Sequence, residues 1–465
     1  MKIAVASLRE FFNQREGERI TVMLDTGALL ADDLDTFFES LPKNVKVRIP
    51  WDCWKEIDFL RKYGNYTGIK NNADTILSRF HRGCWKEATD VNNIVDNSRL
   101  LFGCFNTDVI LFVFCEPLAA EAVSRRIGAV ENMYYVVISP FDRFPLHPVY
   151  SMGEHYVMPR RPFVFTGNFN VTENSVYSVD GYGKIKGSEL TEENSGGEAT
   201  LYSCSKLPGR LIKIFNRKPN RIMVQKLEFL RNCSKVFKNC VLPEGLVYHN
   251  GECVGYIMKK VTGETMLQFK NRAPNENERL DMIRNLFVLL NEMRIMSFLV
   301  TDLSNGNVFI ENGKPVLIDC DSMQCCHYPG GGVTFPFGHP DITADFAYSK
   351  MRSPEHFNYS VAVMLWQLLL EWDNPYTQDG KDCQTCSPVD SSFPFTVSGM
   401  VDGITTRADK LERWQSLPES LREAFCKTFN MEKSYSIGEW FELLQKSYEN
   451  FDCCKKVTKI LNKQE

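Results

Sequence analysis

Four polar residues stand in an order that could move a phosphoryl group. Lys213 lies inside the apolar run LIKIF. Asp302 and Asn307 are five residues apart in LVTDLSNGNVFI, and Asp319 closes the apolar run VLID twelve residues after Asn307. A glycine pair, Gly196-Gly197, precedes them between two strand-like segments. Phosphoryl transfer leaves a protein little covalent work. It needs a lysine on the phosphates, two oxygen ligands for Mg²⁺, and a carboxylate to orient the attacking hydroxyl. Glycines let a loop approach phosphate without side-chain interference.

A second set of acids lies nearer the N-terminus. Asp25 sits in TVMLDTGALLADDLD, where Asp-Thr-Gly is also the triplet of aspartic proteases. That chemistry needs two carboxylates sharing one site. No second Asp-Thr-Gly or Asp-Ser-Gly occurs, and the chain turns helical after Asp25. The other reading is a carboxylate cluster for a divalent metal. Glu56 lies in PWDCWKEIDFL, with Asp58 as a competing candidate; Asp108 opens DVILFVFC, and Asp142 follows YYVVIS. Hard oxygen ligands at strand ends suit Mg²⁺ or Mn²⁺, and such ions activate water against phosphodiesters.

The elements that must position these residues follow from periodicity. Through residue 143, strand-like runs at 20–24, 46–49 and 134–139 alternate with helical patterns at 32–41, 53–64 and 73–83. Such alternation implies an α/β fold, a parallel sheet with helices on both faces. Pro145, Pro148, Pro159 and Pro162 mark residues 144–175 as a linker. Strand signals then recur at 185–190, 199–205 and 210–215, with a hairpin at 246–261 turning at Asn250-Gly251. Helices dominate from Glu278 onward, at 278–296, 361–370, 417–430 and 438–448. The second part is therefore α+β, a small β-rich lobe before a larger helical one.

With the motifs in place, a resemblance follows. Residues 176–449 resemble a bilobal Ser/Thr protein kinase domain, most of all a divergent bacterial branch often joined to helix-hairpin-helix repeats. SGGEATLY resembles the glycine loop of that branch, VGYIMKKVTG its hinge, LIDCDSMQ its metal-binding segment, and LPESLREAFCKTF with GEW its closing helices. The resemblance implies an N-lobe at 176–262, a C-lobe at 263–449 and a tail at 450–465. It implies ATP and Mg²⁺ as cofactors. Gly196, Gly197, Lys213, Met258 and Lys260 would hold the nucleotide, Asn307 and Asp319 the metal, and Asp302 the substrate hydroxyl. The phosphoacceptor would be a protein substrate or the chain itself.

The sequence also departs from the kinase pattern. Val300-Thr301 replace the usual His-Arg, Ser304 the usual lysine, Cys320-Asp321 the usual Phe-Gly, and His339-Pro340-Asp341 the usual Ala-Pro-Glu. The acid expected to pair with Lys213 falls at Glu228, or at Gln225 if the alignment shifts. The alternative expectation is thus a nucleotide-binding pseudokinase that acts as a regulatory scaffold.

Residues 1–143 resemble the PIN-domain nucleases, whose first strand usually reads xxLDTNxL. That resemblance makes Asp25, Glu56 and Asp108 catalytic, with Asp25, Asp108 and Asp142 on Mg²⁺ or Mn²⁺, and RNA the partner. The competing expectation is an inert α/β interaction module.

Composition bounds these readings. The chain has 465 residues, 43% of them hydrophobic, and a formal net charge of −4, so no global basic field recruits nucleic acid. Its sixteen cysteines read as reduced, buried thiols. The longest apolar run, VAVMLWQLLL, is too short to span a bilayer. A cytoplasmic protein without membrane partners is expected.

Overall fold

The computed structural model describes residues 3–31, 34, 36, 37, 41–64, 71–77, 108–138, 147–154, 165–234, 236–342, 351–371, 374–378, 392–404 and 408–451. They form two compact units. The first contains Met1–Arg160 with the short segments Glu292–Phe298 and Cys325–His327. The second contains Arg161–Asn291, Leu299–Gln324 and Tyr328–Glu465.

The first unit is built on a six-stranded mixed sheet. Its strands are β1 (Ile3–Val5), β2 (Ile20–Leu24), β3 (Val45–Arg48), β4 (Val109–Phe114), β5 (Met133–Val137) and β6 (Val149–Ser151). Their order in the sheet is β1-β6-β5-β4-β2-β3. Strands β2 to β5 are parallel, and β6 runs antiparallel to both its neighbours. Every residue of β2 (ITVML) and β4 (VILFVF) is buried. Continuous apolar runs of that kind are what the centre of a parallel sheet demands, because both faces are covered. The helices of this unit include α1 (Leu8–Asn13), the single turn α2 (Thr26–Leu29), α3 (Trp51–Tyr63) and α4 (Pro117–Ile127). Residues 147–154 contribute β6 to this sheet, between β1 and β5, so the stretch expected as linker is in part an inner strand of the fold. Short three-residue strands such as β1 and β6 carry too few positions for a period-2 signal.

The chain reverses direction across the sheet at β2. β3 lies on one side of it, and β4 and β5 on the other. The carboxyl ends of β2 and β4 therefore flank the switch point, where open α/β sheets hold ligands.

The second unit is dominated by a seven-stranded antiparallel sheet. After β7 (Phe165–Asn168), which pairs with β13 (Arg217–Pro219), come β8 (Val176–Val179), β9 (Gly183–Lys186), β10 (Leu190–Ser195), β11 (Ala199–Cys204), β12 (Arg210–Phe215), β14 (Gly245–His249) and β15 (Glu252–Lys259). The order is β10-β11-β12-β15-β14-β8-β9. Asn250 and Gly251 both take positive φ at the β14–β15 turn, as a tight two-residue hairpin requires. Helix α5 (Arg221–Cys233) starts at the Asn220 cap, whose side chain accepts the Met223 N–H at 2.9 Å. Its buried stripe is Met223, Lys226, Leu227, Leu230 and Cys233, a helical spacing with a lysine in an otherwise apolar row. Met223 and Leu227 pack with Phe215, Leu246, Tyr256 and Met258 of the sheet.

The remaining helices are α6 (Met266–Asn271), α7 (Glu276–Ile295), α8 (Pro354–Leu370), α9 (Ala408–Ser416), α10 (Glu419–Phe429) and α11 (Ile437–Ser447). A small sheet, β16 (Glu264–Thr265), β18 (Val308–Glu311) and β19 (Lys314–Leu317), lies among them; β17 (Phe298–Leu299) pairs with β20 (Gln324–Cys325). Nearly all of α8 is buried. Its Trp366 is fully enclosed and meets the rings of Phe393, Phe395, Trp414, Phe425 and Phe429 at centroid distances of 5.4–6.0 Å.

No helix among the described residues is long and apolar enough to cross a membrane. The described cysteines are free and buried, as expected for reduced thiols.

Trp366→Ala empties the centre of this aromatic cluster, and truncation of an enclosed large aromatic costs about 3–5 kcal/mol. Urea denaturation followed by far-UV circular dichroism checks that loss.

Candidate functional site

The β12 strand places Lys213 in the middle of the large sheet, between Leu201 of β11 and Tyr256 of β15. Its side chain is almost wholly buried and ends among carboxylates. The ammonium donates to Asp319, and to both oxygens of Asp321 at 2.8 and 3.1 Å. The Tyr256 hydroxyl donates to the same Asp321 oxygen at 2.7 Å. Burial works against the Lys213 charge, but Asp321 and Asp319 outweigh it and hold the ammonium above the ordinary lysine value. Burial, then the charge of Asp321, pushes the Asp319 carboxyl up to about 6, with Lys213 pulling the other way. Burial also penalises Asp321, yet Lys213 and the Tyr256 hydroxyl keep its carboxyl below the usual range.

Asp302 and Asn307 share the turn before β18. The Asn307 amide donates to the Asp302 carbonyl at 3.0 Å and to its carboxylate at 3.1 Å. Asn307 is tied to the segment after β19 by the Ile318 N–H, which donates to its carbonyl at 3.0 Å. That link brings Asp319 to the same place. Asp319 has left-handed backbone angles, φ 57° and ψ 38°. Such a conformation costs roughly 1–2 kcal/mol for a residue with a Cβ. It is over-determined here: the Ser322 hydroxyl and N–H donate to the Asp319 carbonyl at 2.8 and 3.2 Å.

Thr301, which replaces an expected motif residue, and Arg352 lace the segments together. The Thr301 hydroxyl bonds the carbonyls of Ser322 at 2.7 Å and Gly331 at 3.1 Å. The buried Arg352 donates to the carbonyls of Thr301 and Gly332. Gly330 has to be glycine, because a Cβ there would stand 2.3 Å from the Thr301 side chain.

These groups border one cavity of about 610 Å³, lined by Gly196, Gly197, Lys213, Met258, Asp302, Asn307 and Asp319 among others. That volume is in the range of small-molecule sites. Neither glycine of the β10–β11 turn has a positive φ, and a Cβ on Gly197 would meet nothing within 4 Å. Neither backbone strain nor packing calls for glycine there, and the space above Gly197 is open. One carboxylate oxygen of Asp302, Oδ1, is buried and has no hydrogen-bond partner among the described residues.

Lys260 does not border the cavity. Its ammonium pairs with Glu193 at 3.1 Å. Strand β15 ends at Lys259, so the alternation that would place residues 258 and 260 on one face stops. Lys259 lines the cavity instead and pairs with Glu311 at 2.6 Å. Glu228 is exposed and Gln225 half-buried on α5, and neither bonds Lys213. The polar residue that α5 turns inward is Lys226, whose ammonium donates to the Pro329 carbonyl at 3.0 Å. Asp321, Tyr256 and Arg352 were not legible as site residues. The only signal was the doubled acid in DCDS.

In the first unit, Asp25 ends β2 at the switch point. Oδ1 caps α2 by accepting the Ala28 N–H at 2.8 Å, and Oδ2 accepts the Cys115 N–H at 2.7 Å across the β2–β4 gap. Gly27 follows because a Cβ would lie 2.6 Å from Cys115 Cβ and 2.7 Å from the Ile295 carbonyl oxygen. Thus Asp-Thr-Gly is a strand-to-helix corner. Burial pushes the Asp25 carboxyl up to about 6; the Ala28 and Cys115 N–H groups oppose this, and the Glu56 charge adds to it.

Glu56 is brought alongside Asp25 as expected. It accepts from the Thr26 hydroxyl and is ion-paired to Arg294, in the segment Glu292–Phe298 of the same unit. Asp108 is not brought there. It stands at the opposite, amino end of β4, where Arg19 binds it at 3.2 Å. Parallel strands separate the ends of a six-residue strand by roughly 20 Å, so Asp25 and Asp108 cannot share an ion. The acid at the carboxyl end of β4 is Glu116, whose backbone N–H bonds Asp25 and whose charge acts on Arg294. Asp58 is in surface pairs with Arg61 and Lys62. Asp142 lies outside the described residues.

Asp25 and Glu56 already have partners within the protein. Both Asp25 oxygens hold backbone N–H groups, and the Arg294 guanidinium already supplies Glu56 with its cation. Among the described residues, His339, Asp341 and His356 come within ligand distance of one another. Yet His339 Nδ1 accepts the Asp341 N–H at 3.2 Å and His356 Nδ1 accepts the Ser353 N–H at 3.0 Å. Each neutral ring then carries its proton on Nε2, so neither presents a lone pair there for an ion.

A carboxyl whose folded value exceeds its unfolded one favours the fold at low pH, and that contribution is lost as pH rises through about 6. Asp25→Asn removes this dependence. Between pH 4 and 7.5 the stability gap between wild type and the variant should narrow by about 2 kcal/mol, read by urea titration of the first unit's signal at each pH.

No family model matches this sequence, and no curated protein matches it.

Proposed function

We propose that the second unit is an ATP-dependent phosphotransferase of the protein Ser/Thr kinase kind. The observation that carries the reading is the buried, unpartnered Asp302 oxygen in a cavity that also holds Lys213, Asn307 and Asp319. A buried carboxylate oxygen left without a donor is costly unless something supplies one, and a substrate hydroxyl would. The glycine turn with open space above Gly197 supports the same reading.

In this mechanism the Lys213 ammonium holds the α- and β-phosphates. Asn307 and Asp319 are the oxygen donors that would hold Mg²⁺, which when bound neutralises phosphate charge. Asp302 orients the acceptor hydroxyl and takes its proton as that oxygen bonds to the γ-phosphorus and the bond to the ADP oxygen breaks. Thr301 and Arg352 keep Asp302 in place by tying the residue before it to Ser322 and Gly332. Ser304 leaves the usual second cation missing, so transfer is expected to be slow. The acceptor is a protein hydroxyl or the chain's own.

For the first unit, the geometry supports an inert α/β interaction module over a metal nuclease, because Arg294 fills the place a metal would take.

With Mg·ATP, wild type should bind and transfer phosphate. Lys213→Met and Asp319→Asn should weaken binding at least about tenfold, a loss typical of removing a charged partner. Asp302→Asn should bind ATP normally and transfer at most about a hundredth as fast. Wild-type binding should weaken below about pH 6, as Asp319 takes up a proton and loses its charge for the metal. Calorimetry and radiolabel transfer read these effects. Binding without transfer in wild type, unchanged in Asp302→Asn, would select the scaffold alternative.

RNA incubated with Mn²⁺ should stay intact with wild type and with Asp25→Asn alike. Cutting by wild type that the variant loses would restore the nuclease reading.

A further inference from the structure

The polar residues facing Lys213 come from an unexpected element. In the phosphotransferase arrangement of Lys213, Asp302, Asn307 and Asp319, a carboxylate on the helix after the lysine strand holds the lysine in place. Here that helix, α5, offers none. Glu228 is exposed, and Gln225 makes no bond to Lys213. The residue on its buried stripe is a lysine, Lys226, with no exposed surface.

The carboxylate comes from the other side of the cavity. Asp321, 4% exposed, meets the Lys213 ammonium with both oxygens at 2.8 and 3.1 Å. Its orientation is fixed from two sides. The Tyr256 hydroxyl, on the strand next to Lys213, donates to Oδ1 at 2.7 Å. The single 3₁₀ turn Cys320–Ser322 holds its backbone immediately after Asp319. A buried ammonium with no carboxylate would be strongly unfavourable; Asp321 meets Lys213 with both oxygens and shares that charge compensation with Asp319.

We propose that Asp321 is the positioning residue of Lys213, replacing the helix carboxylate, so that the phosphate-binding lysine is set by the metal-binding segment itself and not by α5. This rests on the phosphotransferase reading and deepens it. Lysine and metal ligand are then one preassembled unit, with Asp319 and Asp321 two residues apart on one turn. Helix α5 takes a different task. Lys226 donates to the Pro329 carbonyl, at the start of the Gly330–Gly332 loop whose Gly332 lies against the Asp302 carboxylate. The helix thus reaches the acceptor side of the cavity, and the Lys226 charge also favours the ionised form of Asp321.

The test compares Mg·ATP with adenosine on the full chain by calorimetry. Adenosine lacks the phosphates, so it reads the integrity of the cavity without Lys213. Asp321→Asn should weaken Mg·ATP at least about tenfold and adenosine less than about twofold, since a neutral amide turns N–H groups toward the ammonium. Tyr256→Phe keeps the ring and frees Asp321, and should lower the ATP-to-adenosine ratio by about threefold; it serves if Asp321→Asn fails to fold. Glu228→Ala and Gln225→Ala should leave both affinities unchanged. The proposal is overturned if the ratio survives in Asp321→Asn or Tyr256→Phe, or if either α5 variant lowers it tenfold. Wild type that binds neither ligand overturns the phosphotransferase reading itself, a result distinct from any of these.

Discussion

The second unit turns on one buried cation. Lys213 sits in an inner strand of an antiparallel sheet, where an ammonium would be expelled or neutralised without partners. Asp319 and Asp321 hold it, Tyr256 holds Asp321, and the left-handed turn at Asp319 places both acids within reach. Much of the cavity's architecture serves that cluster. The β18–β19 hairpin brings Asn307 beside the same turn. Thr301 bonds the carbonyl of Ser322 at its end. Truncating any one acid leaves charge uncompensated in a low-dielectric interior, which is why such clusters act as a unit.

The first unit solves a similar problem at its switch point. The carboxyl ends of β2 and β4 gather Asp25, Glu56 and Glu116, and burial raises the cost of the Asp25 charge. Backbone N–H groups take up both Asp25 oxygens, and Arg294 compensates Glu56. An ion would have to displace an arginine already paired there. Acids at the carboxyl edge of a parallel sheet are thus as well explained by internal neutralisation as by a metal.

Much of this was legible in the sequence for stated reasons. Periodicity marked β2, β11, β12, the Asn250-Gly251 hairpin and the long helices, because those segments are long and their burial follows one face or two. Lys213, Asp302, Asn307 and Asp319 were found by type and order, and they do line one cavity. The misreadings share a cause. Asp108 has the right residue type next to a strand, but it is at the wrong end of it. Lys260 was assigned through the hinge resemblance, but the strand ends at Lys259 and it is Lys259 that lines the cavity. Glu116, the acid that does reach the switch point, is the residue before α4 and belongs to no motif that marks it in the sequence.

Sequence alone determined the α/β character of the first unit, the order of polar groups in the second and the alternation of its strands, since these depend on local spacing and on which residues water rejects. It could not decide which charges meet. Lys213 might have faced Glu228, Gln225 or Asp321, and Glu56 a metal or an arginine more than two hundred residues away in the chain. Those pairings are long-range, and each is chosen by where burial forces an opposite charge to be supplied. Only the tertiary structure brings the candidates together, and it selected Asp321 and Arg294.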